Sequence, residues 1–488
     1  MRLSIKSKPS AKVMLQNRVT AFVRDEAGTM TIFAVMMLMM MLLVGGIAVD
    51  LMRNEMERTR VQGTMDRAVL AAADLDQQAD PKAVVRDYLR KSQVGDCLTG
   101  EPIVVPSGRS RTVSATCQIS MNTFFLRLIG INSLDAYANS SAIEGVGEVE
   151  VSLVLDISGS MDDPIPGTSQ RKIDKLEEAA DKFVRALIKP EYKDRISISL
   201  VPYSEHVNIG PDLYNTIQTN TYHGFSHCVE IPASEYSDAA WDNTLVYEQT
   251  QHFQWNPHYN SSGYLAPNIT EPVCPQYNYE RVIPLSQDLT ELTTAISQLQ
   301  PRAGTSIFLG LKWGMTLLDP SFRPNLQALP NGTIDAVFSD RPNVHATPNT
   351  PTSTLKYLVL MTDGENQSSN RLRDWAYDSP SEIAYWDTTN WWYFVGTVGG
   401  WRGDITNSYT FTKYNQTLGN QYMQSMCNEA RRLGVTVFTI AMDAKPDGQT
   451  QMSQCATDPS FYYETSGAEL TQIFEAIAKQ ITDLRLTQ

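Results

Sequence analysis

The sequence predicts an α/β fold with a doubly wound, mostly parallel sheet, preceded by a transmembrane helix and a small α+β region. Three features predict it: an uncharged apolar segment near the N-terminus, alternating strands and helices after residue 148, and polar loops that follow two buried strands. Such alternation is typical of a parallel sheet with helices on both faces. The apolar fraction of 42% suits a large core, whereas a net charge of −14 argues against nucleic-acid binding.

The apolar segment comprises the 23 uncharged residues between Glu26 and Asp50. As a helix it would be about 35 Å long, enough to cross the hydrocarbon core of about 30 Å. We therefore predict a transmembrane helix over residues 27–50 that continues as an amphipathic helix beyond Asp50. Gly46 and Ala48 resemble the small residues of a signal-peptide cleavage site, which leaves cleavage as an alternative.

The flanks of this segment predict its orientation. The first 28 residues contain six basic side chains and two acidic ones. Because Lys and Arg stay on the cytoplasmic side, residues 1–26 should be a cytoplasmic tail. Everything after Asp50 should then be periplasmic or extracellular, on a single-pass protein of a bacterial inner membrane.

The cysteines agree with an exported location. Six are present, and they fall along the chain as three consecutive pairs: Cys97 and Cys117, Cys228 and Cys274, Cys427 and Cys455. This arrangement favours disulfides formed in an oxidising compartment. Buried free thiols are the alternative, and spacing alone does not determine the connectivity.

Two regions follow the anchor. Residues 51–147 read as helices and then strands, a small α+β region. In residues 148–488, strands are predicted at 148–156, 195–204, 281–285, 355–361, 435–442 and 461–465, with amphipathic helices between most of them. Two long insertions, 205–280 and 365–417, interrupt this alternation.

Polar side chains follow the strands of this second region. Asp156, Ser158 and Ser160 come after the first strand, Asp363 follows the strand at 355–361, and Thr305 lies in a glycine-containing loop that opens a helix. In open α/β sheets, ligands bind at the carboxyl ends of the strands. Because only oxygen donors are present, the loops favour Mg²⁺, or else Ca²⁺ or Mn²⁺.

Catalytic interpretations of these loops fit less well, so we expect a protein that is not an enzyme. A serine nucleophile needs glycine where Asp156 stands, and a P-loop lysine motif is absent. A metal-dependent phosphoester hydrolase with Asp156 as nucleophile remains an alternative, although Ser158 occupies the place of the usual second aspartate. Another alternative is that Asp156 and Ser158 only cap the helix beginning near residue 171.

The motifs DISGS (156–160), Thr305 of AGTS and TDG (362–364) together resemble the metal-ion-dependent adhesion site of a von Willebrand factor type A domain. The resemblance covers roughly residues 148–488. It implies that Ser158, Ser160 and Thr305 donate hydroxyl oxygens to Mg²⁺, with Asp156 and Asp363 bound directly or through water. It also implies an open metal position for an acidic side chain of a protein partner.

The stretch GTMTIFAVMMLMMMLLVGGIAVD, with VQGTMDRAVLAAA after it, is similar to TadG-like proteins of Tad/Flp pilus machinery. This resemblance implies a role in pilus assembly or surface attachment, with other pilus or secretion components as partners. A pilin-like subunit whose metal site is purely structural is an alternative. Prepilin processing is not predicted, because Phe33 stands where prepilins carry a glutamate.

Tryptophans are concentrated in the insertion at 365–417, which should begin at the metal-site edge. The residues are Trp375, Trp386, Trp391, Trp392 and Trp401. Aromatic side chains on such loops are enriched at binding surfaces, so we interpret them as partner-binding residues. The alternative is that they form a small core for the inserted loops.

Overall fold

The structure is a computed structural model that describes residues 19, 27–74, 79–94, 97–107, 110–145, 147–346, 354–397 and 403–486. The predicted cytoplasmic tail, apart from Val19, and Trp401 lie outside the described residues. The chain divides into two compact units, Met1–Glu144 and Gly145–Gln488, which are described separately.

The first unit contains two helices and one antiparallel sheet. In chain order these are α1 (Ala27–Ala73), α2 (Pro81–Lys91), β1 (Ile103–Ser107), β2 (Ser110–Asn122) and β3 (Ser133–Gly145). Sheet order is β1-β2-β3. The second half of α1 packs against α2 and β2, and its buried side chains, among them Val61, Met65 and Val69, form the core of this unit.

By its length and composition, helix α1 could cross a membrane within Met30–Ala73. Side chains from Met30 to Val49 are mostly exposed, whereas those from Val61 to Asp74 are buried or partly buried except at Arg67 and Leu70. One continuous helix thus carries an apolar, unpacked half and a half that is built into a core.

The second unit follows the predicted alternation, with additional short elements. Its strands and helices are, in chain order, β4 (Glu148–Asp156), α3 (Lys172–Leu187), β5 (Ile196–Tyr203), α4 (Gly210–Tyr214), β6 (Thr219–Asn220), β7 (Val229–Glu230), β8 (Tyr247–Gln249), β9 (Ile283–Ser286), α5 (Leu289–Ile296), α6 (Ile307–Thr316), α7 (Arg323–Gln327), β10 (Thr354–Thr362), β11 (Ser369–Leu372), α8 (Pro380–Trp386), α9 (Trp391–Thr397), α10 (Gly403–Tyr409), β12 (Thr410–Tyr414), α11 (Gln416–Arg432), β13 (Thr436–Met442), α12 (Pro446–Cys455), β14 (Tyr462–Thr465) and α13 (Leu470–Leu486).

Six strands form the main sheet in the order β14-β13-β10-β4-β5-β9. All neighbours are parallel except β9, which runs antiparallel to β5 at one edge. Consecutive strands therefore extend outward from β4 on one side and from β10 on the other. The order reverses between β4 and β10, and such a switch point is where open α/β sheets bind ligands. The predicted doubly wound, mostly parallel sheet is confirmed.

Helices cover both faces of this sheet. Helices α3 and α13 enclose one apolar core, and α6 and α11 enclose the other. Helix α6 lies especially close to the strands: a Cβ on Gly310 would be 2.6 Å from Cδ1 of Tyr203, and one on Gly314 would be 2.6 Å from Cγ2 of Val154. Glycine at these positions lets the helix, and the Thr305 loop before it, approach β4 and β5.

The two insertions pack against each other. Phe253 and Val273 of the first share an apolar cluster with Leu372, Trp386 and Trp391 of the second. Hydrogen bonds connect the same segments, with the Gln251 amide nitrogen donating to the Leu372 carbonyl at 2.9 Å. The insertions therefore stabilise one another instead of extending separately into solvent.

Candidate metal centre

Three loops meet at the switch point between β4 and β10. Asp156 is the last residue of β4, Asp363 directly follows β10, and Thr305 lies two residues before α6. Asp156, Ser158, Thr305 and Asp363 are each at most 3% exposed, and Ser160 is partly buried. The structure thus brings together all five residues predicted from the sequence.

Backbone hydrogen bonds fix the three loops relative to one another. The Gly159 N–H donates to the Ala303 carbonyl at 3.0 Å, and the Arg302 N–H donates to the Ile157 carbonyl at 2.8 Å. The Gln367 N–H donates to the Thr305 carbonyl at 2.9 Å. Because the Thr305 loop is hydrogen-bonded to both others, contacts within the chain fix the relative positions of the three loops.

The hydroxyl and carboxylate oxygens lie within a few ångströms of each other. Ser160 Oγ donates to Asp363 Oδ1 at 2.7 Å and is 3.2 Å from Ser158 Oγ. Gly364 lines the same space, since a Cβ there would be 3.6 Å from Thr305 Oγ1 and 4.0 Å from Ser160 Oγ. Hydroxyls from two loops and the carboxylate of a third therefore converge.

Asp156 is held by its own turn and by β10. The Ser158 N–H donates to Oδ1 at 2.8 Å, and Thr362 Oγ1 donates to Oδ2 at 2.7 Å. Both carboxylate oxygens thus accept hydrogen bonds while the side chain is completely buried. This geometry orients the carboxylate, and burial limits its use as a nucleophile towards an external substrate.

The electrostatics favour a cation. Burial raises the pKa of the Asp156 carboxyl, and the negative charge of Asp363 raises this pKa further. Burial likewise raises the pKa of Asp363, although Lys172 and Ser160 oppose that shift. Two buried carboxylates whose ionised forms repel each other are stabilised by positive charge placed between or beside them.

Lys172, at the start of α3, supplies such charge and was not anticipated from the sequence. Its Nζ lies 3.0 Å from Asp363 Oδ2 and 3.1 Å from Asp443 Oδ2. Burial alone would lower the pKa of Lys172, but the two carboxylates outweigh it and the net shift is upward. A lysine in the first turn opposes the helix dipole. This unfavourable position in the helix is the sequence signal that could have indicated an ion pair between Lys172 and a carboxylate of another segment.

The candidate site consists mainly of hydroxyl oxygens and is not a cluster of acidic side chains. Within the part of the chain that the structure describes, no group of three or more His, Cys, Asp or Glu side chains could hold a metal ion. Any cation at the switch point would instead use hydroxyls of Ser158, Ser160 and Thr305 with the carboxylates of Asp156 and Asp363. Such all-oxygen donors fit a hard cation such as Mg²⁺.

The predicted partner-binding tryptophans occupy different environments. Trp386 and Trp391 are at most 2% exposed and belong to the core of the insertions, as in the alternative interpretation. Trp392 is partly buried, and its ring is 6.1 Å from that of Trp255. Trp375 is 50% exposed. Of the four predicted partner-binding tryptophans that the structure describes, Trp375 therefore offers the most surface to a partner, whereas Trp386 and Trp391 offer almost none.

All six cysteines are paired as disulfides. The bonds join Cys97 to Cys117, Cys228 to Cys274, and Cys427 to Cys455. The first lies in the first unit, the second closes the insertion after β5, and the third joins α11 to α12. These pairings support the interpretation of the cysteines as disulfides.

Comparison with protein families gives one match. A family model described as putative Flp pilus-assembly TadE/G-like matches residues 28–75. This segment coincides with α1, so the resemblance of the anchor region to TadG-like proteins is confirmed. A comparison with curated proteins finds no match.

Several solved structures are similar to the chain. The vWF domain of the type V pili tip protein Mfa5 from Porphyromonas gingivalis is 14% identical, with a TM-score of 0.34, covering 69% of this chain and 95% of that one. An adhesive tip pilin from Group B Streptococcus agalactiae is 12% identical, with a TM-score of 0.36, covering 69% and 100%. Because these TM-scores are low, the fold assignment rests on the strand order and loop positions above.

Replacing Lys172 with Met should destabilise the second unit by about 3 kcal/mol, because Asp363 would remain buried without its cation. Lys182→Met is the matched control, since Lys182 forms an exposed pair with Glu178 at 3.2 Å, expected to contribute less than about 1 kcal/mol. All eight tryptophans lie after residue 240, so tryptophan fluorescence during urea unfolding of the full chain reports on this unit. Equal losses in both variants would contradict the role given to Lys172.

Proposed function

We propose that residues 148–488 form a metal-dependent protein-binding domain, held at a membrane by α1, that acts in pilus assembly or surface attachment. The observation that carries this proposal is the convergence of three hydroxyls and two carboxylates at the switch point of the sheet. The family match over residues 28–75 supports the pilus connection. The apolar half of α1 supports a single-pass anchor.

In this proposal, Ser158, Ser160, Thr305, Asp156 and Asp363 hold Mg²⁺, or else Ca²⁺ or Mn²⁺. A bound cation would supply a Lewis-acidic position for a carboxylate of a protein partner. The chain's own residues orient the oxygens and keep Asp363 paired with Lys172. Asp162 is close to these residues in sequence but is exposed. It pairs with Arg171 at 3.0 Å and lies outside the group of converging oxygens.

A non-enzymatic role fits the environment of Asp156 better than phosphoester hydrolysis does. A nucleophilic carboxylate needs access to its substrate, whereas Asp156 is completely buried with both oxygens accepting hydrogen bonds. Ser160 is hydrogen-bonded to Ser158 and Asp363, and no histidine is among the described side-chain hydrogen-bond partners of either serine that could act as its base. We therefore favour a binding role for this site over a catalytic one.

The metal proposal predicts that the full chain in detergent binds Mg²⁺ in isothermal titration calorimetry. Ser160→Ala should weaken binding at least about tenfold, because one oxygen donor is removed. Asp156→Ala should weaken it more, and the exposed Asp162→Ala is the control that should leave it unchanged. Absence of binding by the folded wild-type chain, or equal affinity in all four proteins, would contradict the proposal.

Mg²⁺ affinity should fall as pH is lowered from 8 to 5.5. The sign follows from the raised pKa values of Asp156 and Asp363, since carboxyls that retain protons must release them before binding a cation. Calorimetry in two buffers of different ionisation enthalpy should show proton release that grows as pH falls. An affinity that stays constant over this range would show that cation binding does not require proton release from the two carboxyls.

The biological role can be tested in cells that carry the same variants at wild-type protein level. Asp156→Ala and Ser160→Ala should reduce surface attachment or the number of filaments, whereas Asp162→Ala should not. Fractionation separates the alternatives: an anchored protein stays in the membrane when filaments are sheared, and a pilin-like subunit leaves with them. Attachment and filaments unaffected by Asp156→Ala would contradict a metal-dependent role.

A further inference from the structure

The loop between β2 and β3 carries an unusual apolar surface. Its residues, FFLRLIGI at 124–131, expose Phe124 by 66%, Leu128 by 73% and Ile129 by 52% of their surface. Large apolar side chains grouped in this way on a small unit mark a contact with another apolar phase. We call this segment the Phe124–Ile131 loop.

The loop is an ordered element whose exposed side chains are held in place. A short 3₁₀ helix spans Leu126–Ile129 and ends at Gly130, whose φ of 92° favours glycine. The Ile131 N–H donates to the Leu126 carbonyl at 3.1 Å, and the Thr123 N–H donates to the Asn132 carbonyl at 3.1 Å. These hydrogen bonds order the loop while Phe124, Leu128 and Ile129 stay exposed, and paired backbone groups are what a surface inserted into lipid requires.

Asp50 of α1 fixes the loop beside the helix. Its carboxylate accepts hydrogen bonds from the backbone N–H groups of Phe124, Phe125 and Leu126, with shortest distances of 3.1, 2.7 and 2.8 Å. Asp50 is completely buried by this contact. Three backbone N–H groups at the start of the loop thus stabilise the negative charge of Asp50, the first charged residue after the apolar span, and the loop lies at the same level as the end of the span.

Phe125 extends this contact into the apolar span itself. A Cβ on Gly46 would be 2.2 Å from Phe125 Cδ1, so the ring rests directly on the helix backbone. Gly46 precedes Asp50 by four residues, about 6 Å further into the uncharged stretch. The loop therefore overlaps in depth with residues that lie in the bilayer if α1 is the proposed anchor.

Resting on that proposed anchor, we propose that the Phe124–Ile131 loop inserts into the lipid surface beside α1 as a second membrane contact of the first unit. Phe124, Leu128 and Ile129 enter the interfacial region. Arg127 is exposed on the same loop, and the Arg53 guanidinium lies 4.3 Å from the centre of the Phe124 ring. Long basic side chains at this level can reach lipid headgroups while their stems stay in apolar surroundings.

Lipid is the occupant favoured by continuity, since the exposed face of the loop adjoins the exposed apolar side chains of α1 without an intervening charged side chain on the helix before Asp50. A protein covering the loop, such as a second copy of the chain, would shield it from lipid. The two occupants therefore differ in what a reporter on Leu128 would contact.

The test uses the full chain in liposomes of phosphatidylcholine and phosphatidylglycerol with brominated acyl chains. Because all six cysteines form disulfides, Leu128→Cys provides a single free thiol for a fluorescent label. Val44→Cys reports on the apolar span. Ile103→Cys reports on β1, where Ile103 pairs with Ser114, about 26 Å before β2 ends at Asn122. Bromine near the headgroup should quench the label at residue 128, deeper bromine the label at 44, and neither the label at 103.

The outcomes separate the inference from the anchor. Quenching at 44 without quenching at 128 would overturn lipid insertion of the loop and leave the anchor intact. Lack of quenching at 44 would refute the anchor, and with it the inference.

A matched pair of glycine variants tests the docking of the loop. Gly46→Leu should displace Phe125 and reduce quenching of the label at residue 128. Gly45→Leu adds the same side chain where a Cβ meets nothing within 4 Å, so it should leave quenching unchanged. Equal quenching in both variants would show that the helix does not hold the loop at the membrane.

Discussion

The burial of two carboxylates at neighbouring strand ends is the constraint on which the second unit depends. Asp156 and Asp363 follow β4 and β10, whose parallel pairing brings their carboxyl ends to the same edge of the sheet. Ionised carboxylates in such a place are costly unless positive charge and hydrogen-bond donors surround them. Ser160, Thr362 and Lys172 provide these partners, and each comes from a different segment. The site and the fold are therefore stabilised by the same contacts.

The position of α6 follows from that constraint. The Thr305 loop must contact both carboxylate-bearing loops, and it does so through backbone hydrogen bonds to Ile157, Gly159 and Gln367. Glycines on the sheet-facing side of α6 allow the close approach that this requires. On the opposite side of β10, Lys172 joins Asp363 to Asp443, which follows β13. Lys172 thus connects carboxylates that follow β10 and β13, next to the buried carboxylate of Asp156 at the end of β4.

Local sequence signals were sufficient for much of this architecture. Alternating apolar strands and amphipathic helices predicted the sheet, and the serine-rich turn after β4 predicted one side of the site. The antiparallel pairing of β9 with β5 had no local signal, because it depends on the path of the long insertion before β9. Lys172 was missed for a similar reason: its partners lie 191 and 271 positions further along the chain. The interpretation of Trp386 and Trp391 as partner-binding residues is corrected by their burial, because aromatic composition alone does not distinguish a core from a surface.

Helix α1 is continuous from its apolar half to the half that contributes to the core of the first unit. Val61, Met65 and Val69 are buried on the same uninterrupted helix whose earlier turns are apolar and exposed. A flexible linker would allow the attached unit to swivel and would absorb part of any pull. If α1 is the proposed membrane anchor, a tensile load on the rest of the chain would be resisted by the packing between α1, α2 and β2. The mechanical strength of the attachment is consequently a property of that small core.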